Sequence, residues 1–197
     1  MKTKNLLIIF LLIGNYISAQ EGFKAGLRFG MDASQVDGDN LGGYDKAGLI
    51  VGGLVSRELS KSFAAQMEII YIQKGSRKPV DENNEYYVMR LGYIEVPVLL
   101  VWHAIKKFDA TGGFAFGTLI SSEEETQLGT LPVDYPFEKF ELSYNLGFVY
   151  HISDNWAFDG RYCNSLTTIR GFPGYYSTYF EKGQFNFLIA MTLIYKF

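Results

Sequence analysis

Cysteine and histidine are nearly missing from this chain: Cys163, His103 and His151 are the full supply in 197 residues. One cysteine excludes an intrachain disulfide and a cysteine cluster for zinc or iron–sulfur. Neither histidine has a serine nearby in a recognisable motif, so an activated nucleophile with a base in reach is not visible. The stretch "GLIVGGLV" holds glycines but no following Lys-Ser/Thr pair, so it is no phosphate loop. Proline is scarce, at five. Positive charge is not in excess either: the formal net charge is −3. No basic patch stands out, and the electrostatic footprint of a nucleic-acid binder is absent. Past the N-terminal stretch no run of eighteen apolar residues occurs, so no transmembrane helix is expected there.

The N-terminus carries a basic start, "MKTK", an apolar stretch, "LLIIFLLI", and small residues in "ISA" before Gln20. That order is the pattern of a secretory signal, and the apolar run is too short for a membrane anchor. Residues 1–19 are expected to be cleaved, leaving 20–197 as one domain. Cleavage removes Lys2 and Lys4 and no acid. Basic residues fall from 18 to 16 against 21 acidic ones, a net charge of −5.

What the chain has in quantity is aromatic residues, 16%, and glycine, 21 residues. Both suit a chain of aromatic strands with glycine kinks. Alternation with a period of two marks eight segments, at about 23–33, 45–58, 62–75, 87–102, 108–120, 138–151, 155–165 and 184–197. Each reaches the nine to eleven residues that a tilted strand needs to cross a bilayer. Their connections alternate in length. "LSK", "HAIKK" and "SDN" are tight, while "SRKPVDENNEY" and "SSEEETQLGTLPVDYP" are long and polar. Short turns at one end and long loops at the other predict an all-β, eight-stranded, antiparallel, up-and-down transmembrane barrel. The short turns and both termini are expected in the periplasm, with the long loops outside.

The two faces of each segment differ in kind. Phe140, Leu142, Tyr144, Leu146, Phe148 and Tyr150 form one apolar face, and Glu141, Ser143 and Asn145 lie on the other. In 185–197 the odd residues, from Phe185 and Phe187 through Tyr195 to Phe197, form the face expected to meet lipid. The opposite faces are mixed rather than polar throughout, as suits a narrow lumen. Seven charges are assigned to that lumen: Arg28, Glu68, Lys74, Glu95, Glu141, Asp159 and Arg161. Buried charges need partners, so an ion-pair network is expected. Arg161 is its expected hub, its planar fork holding Glu68 and Glu95. Phe63, Trp102, Tyr150, Trp156, Tyr195 and Phe197 should form a girdle at the tight-turn end, with Tyr71 and Tyr162 at the other. Pro97 should cause a bulge or a lost ladder bond.

"FKAGLRFGMDAS", "QMEIIYIQKGS", "GYIEVPVLLVW" and "GRYCNSLTTI" resemble, in order and spacing, segments of the PorT-type outer-membrane β-barrel proteins of Bacteroidota. The resemblance covers about 23–197. It implies an eight-stranded barrel in the outer membrane, and some members of that family serve type IX secretion. By the same resemblance the terminal aromatic, Phe197, is the signal read by the barrel assembly machinery.

The expected function is structural or interactive: an integral, multi-pass outer-membrane protein of a Gram-negative bacterium. Its expected partners are lipid, the assembly machinery and envelope or secretion-system proteins. No catalytic, cofactor or metal residues are assigned. A small porin-like channel is one alternative, although eight strands leave a lumen just wide enough for side chains. A lipid-modifying enzyme is another, with both histidines at the tight-turn end. Phe172, Tyr175, Tyr176, Tyr179 and Phe180 form an aromatic loop cluster that could make contacts.

Overall fold

The computed structural model describes residues 22–80, 82–131, 135–171 and 183–197. The signal segment and the loop residues Phe172, Tyr175, Tyr176, Tyr179 and Phe180 lie outside the described residues.

Period-two alternation becomes strand at all eight places. The strands are β1 (Phe23–Asp37), β2 (Lys46–Glu58), β3 (Phe63–Lys74), β4 (Arg77–Lys78), β5 (Tyr87–Ile105), β6 (Phe108–Thr126), β7 (Gly129–Thr130), β8 (Phe140–His151), β9 (Trp156–Ser165) and β10 (Phe185–Lys196). Eight are long. The two-residue β4 and β7 extend the ladder of β5 and β6 at the long-loop end. Each long strand pairs antiparallel with two others, in the order β1-β2-β3-β5-β6-β8-β9-β10. β10 then returns to β1, from Gly26↔Lys196 to Asp37↔Phe185. The sheet is a closed barrel, so the long strands present no open edge.

β1, β5 and β6 run past the ends of their apolar alternation, to Asp37, Ile105 and Thr126. Alternation stops where lipid stops, whereas backbone pairing continues beyond it. Between Gly92 and Tyr93 the β5–β6 register slips: Gly92 faces Ser121 and Tyr93 faces Leu119, so Ile120 is an extra residue. A one-residue bulge flips the inward set. Below it the buried residues of β6 are odd (Asp109, Thr111, Ala115); above it the buried residue is Glu124. Pro97 causes no slip. The β3–β5 ladder keeps its register from Met67↔Val98 to Ile70↔Glu95 but skips the two pairs at Pro97 and Val96.

The outward residues form a continuous exposed apolar band, including Leu27, Met31, Met67, Ile69, Val98, Leu100, Phe116, Leu146 and Met191. Aromatic rings border it at the tight-turn end. Phe63 and Trp102 pair across strands, and the rings of Trp156 and Tyr195 lie 5.0 Å apart. Tyr195 meets Phe197 edge-on at 5.9 Å. At the long-loop end Tyr144 and Tyr162 lie 6.2 Å apart. One outward expectation fails. Phe185 and Phe187 are 5% and 6% exposed, so protein rather than lipid covers them. They occupy the long-loop end of β10, and the lipid-facing run of that strand starts at Ile189.

Gly75 ends β3 with a φ of 138°, a conformation that other residues rarely adopt. A side chain there would meet the Met89 carbonyl at 2.0 Å. The ladder continues past this bend in unbroken register, from Lys74↔Leu91 through the Met89 N–H donating to the Ser76 carbonyl to Arg77↔Val88.

Candidate functional site

Strand alternation turns all seven assigned charges inward, and all seven are buried. They gather in two clusters. In the first, Arg161 on β9 donates from Nη2 to Glu68 Oε1 (3.0 Å) and from Nη1 to Glu68 Oε2 (3.2 Å). Its Nη2 also reaches Asp159 at 2.9 Å. Arg28 on β1 donates to Glu68 (2.5 Å), Asp159 (2.8 Å) and Thr192 Oγ1 (2.8 Å). Gln66 adds a fourth donor to Glu68 at 2.7 Å. Two guanidiniums therefore face two carboxylates. β3 and β9 stand four strands apart in either direction around the barrel. The Arg161–Glu68 fork thus joins opposite walls.

The second cluster is centred on Lys74. Its Nζ donates to Glu141 Oε1 at 2.8 Å and lies 2.5 Å from Glu95 Oε1. Ser165 Oγ and Asn186 Nδ2 donate to the two oxygens of Glu141. The expected Glu95–Arg161 pair does not form: Arg161 holds Glu68 and Asp159, and Glu95 meets Lys74. In register it faces Ile70, one inward step beyond Glu68. That places it beside Lys74 on the adjacent strand, while Asp159 takes its place on Arg161. Arg28 shares the hub role with Arg161. Apolar packing fills much of the remaining lumen. Leu54, Val149, Ala157 and Ile194 pack as one group, and Ile70, Ile72, Leu91, Tyr93 and Leu188 belong to a larger one.

Both rims are closed by polar chains that the segment pattern did not reveal. At the tight-turn end, Lys24 bonds Glu58 (2.8 Å) and Glu58 bonds His103 (2.9 Å). His103 bonds Asp109 (2.9 Å), Asp109 bonds His151 (2.7 Å), and His151 bonds Lys196 (3.1 Å). Six strands contribute to this belt, which lines a cavity of about 160 Å³. His103 lies beyond the Trp102 girdle, outside the span. The Asp109 hydrogen bond holds its imidazole above the usual histidine range; partial burial opposes this and Glu58 adds to it. At the long-loop end, Arg170 forks onto both oxygens of Glu124 at 2.7 and 2.8 Å. Tyr87 donates to the same carboxylate. Arg170 also reaches Gln184 at 2.9 Å and stacks 4.1 Å over Phe137.

A match to the family described as "Outer membrane protein beta-barrel domain" covers residues 18–171. The chain belongs to this family. The membership places this outer membrane protein beta-barrel domain in a Gram-negative outer membrane. Among curated proteins none matches. Solved structures share its fold. Ail, the attachment invasion locus protein of Yersinia pestis, superposes with a TM-score of 0.53 at 15% identity, over 90% of this chain and 100% of that one. Neisserial surface protein A superposes with 0.53 at 11% identity, over 90% and 98%.

In this family member the chemistry on offer is electrostatic cross-bracing. Among the described residues no group of three or more His, Cys, Asp or Glu side chains could hold a metal ion. Sequence reading missed Asp109, although a signal was present. His103 opens the tight link "HAIKK" and Asp109 lies two residues past its end, and hairpin register sets them face to face. It also missed Asp32, buried with no hydrogen-bond partner for its carboxylate among the described residues.

Proposed function

We propose that this barrel is a non-conducting structural and interaction component of the outer membrane, presenting its long loops to partners. The observation that carries the proposal is the Arg161–Glu68 fork, which links opposite walls across the lumen. A lumen crossed by paired side chains has no continuous water path for open diffusion. Purified barrel in planar bilayers should therefore give no stable conductance steps; large, long-lived steps would favour the porin-like alternative.

The sorting of loop lengths supports a topology with both termini and the tight turns in the periplasm. Residues 1–19 act as the export signal in this reading and are removed. Phe197, an exposed ring beside Tyr195, is accessible to an assembly factor and serves as the insertion signal. The protein acts without catalysis. Its finer placement, with the PorT-type proteins and type IX secretion, rests on the sequence resemblance alone and is scored by cargo secretion in a deletion strain.

A further inference from the structure

A pocket of about 690 Å³ opens at the long-loop rim, between the start of β2 and the β4–β5 hairpin. Its lining includes Lys46, Arg77, Lys78 and Arg90 against one acid, Glu125. Four cations in one pocket stand out on a chain whose net charge is −3. Arg90 is paired with Glu125 at 2.7 Å and Glu123 at 3.6 Å, and Lys78 with Glu85 at 3.3 Å. Arg77 stands outside these pairs; Lys46 is buried, its ammonium donating to the Ala47 carbonyl at 3.0 Å and its charge facing the Asp32 carboxylate.

Two neutral donors complete the floor. A side chain on Gly92 would sit 2.4 Å from Ser121 Oγ and 3.3 Å from Tyr71 Oη. The two hydroxyls therefore converge over this bare glycine. Gln73 donates to the Tyr71 oxygen at 3.1 Å, which leaves the phenol proton for a ligand. Arginine forks with hydroxyl donors suit phosphate oxygens.

The position of the pocket names the source of the phosphate. Tyr71 lies eight residues beyond the girdle residue Phe63 on β3. At roughly 3.3 Å per residue and ~40° of tilt, that is about 20 Å along the membrane normal, close to the top of a ~25 Å apolar band. Val51 and Ile94, the cross-strand partners of Tyr71, are exposed, as is Ile69 two residues below it. An apolar strip thus runs down the wall from a basic pocket. A molecule with a phosphate head and acyl chains fits both parts.

We propose that this pocket binds the phosphorylated headgroup of a membrane lipid, with its acyl chains along Val51, Ile69 and Ile94. The test uses the whole refolded barrel in detergent, with bound lipid counted by native mass spectrometry. The probe is a short-chain phosphatidic acid. Arg77→Ala/Arg90→Ala removes two exposed cations, and retained heat-modifiability reports that the variant still folds. With two charge-assisted contacts removed, affinity should fall tenfold or more. The matching diacylglycerol, which lacks the phosphate, should not bind, and excess inorganic phosphate should not displace the lipid. Equal binding by the folded variant, or equal binding of diacylglycerol, would overturn the proposal. Complete displacement by inorganic phosphate would overturn the lipid assignment and leave a site for free anions.

Discussion

Glu68→Ala should destabilise the barrel by on the order of 3–5 kcal/mol, the range for removing one partner of a buried ion pair. Glu68 accepts from Arg28, Arg161 and Gln66. Its removal leaves two buried guanidiniums with Asp159 as their remaining carboxylate. A surface pair such as Lys24–Glu58, by contrast, contributes about 0–1 kcal/mol. Urea unfolding of the barrel refolded into phosphatidylcholine vesicles measures the difference. Trp102 and Trp156 both sit in the tight-turn girdle, so their emission reports insertion directly. A Glu68→Ala midpoint equal to that of the parent would show that the first cluster contributes little.

Lys74→Met should be comparably damaging, for the opposite reason. The ammonium bridges Glu95 and Glu141, and its loss leaves two buried carboxylates facing each other. Methionine keeps most of the volume, so the loss is electrostatic rather than a cavity. Combining Lys74→Met with Glu95→Gln and Glu141→Gln should recover most of the stability, because neutral groups of similar shape remove the uncompensated charge. The same urea titration reads the recovery. A triple variant no better than Lys74→Met alone would assign the damage to packing instead.

The barrel itself was legible because lipid imposes a stricter pattern than water. A bilayer face must be apolar at every second residue, and a narrow lumen tolerates isolated charges only when they pair. That contrast located all eight long strands and seven of the buried charges, though not Asp32, Lys46 or Asp109. The pairing among those charges was not legible, since it depends on stagger between strands. One inward step along β3–β5 separates Glu68 from Glu95 and decides which meets Arg161. Glu124 was hidden by the extra residue Ile120, which reverses the alternation above it. Phe185 and Phe187 follow the lipid pattern perfectly yet lie beyond the lipid, because alternation reports sidedness and not height. The rim belt of His103, Asp109 and His151 depends on strands brought together by closure, a long-range event with no local signature.

Cys163 offers the most direct test of the filled lumen. It is the chain's sole cysteine. It faces inward on β9, two residues from Arg161, and its thiol donates to Asn145 Oδ1 at 2.8 Å. A small, charged methanethiosulfonate reagent reaches a lumenal thiol only through a water path. Labelling of the refolded barrel in lipid vesicles should be negligible, and should go to completion once urea unfolds it. Rapid labelling of the folded barrel would contradict a lumen closed by its own side chains.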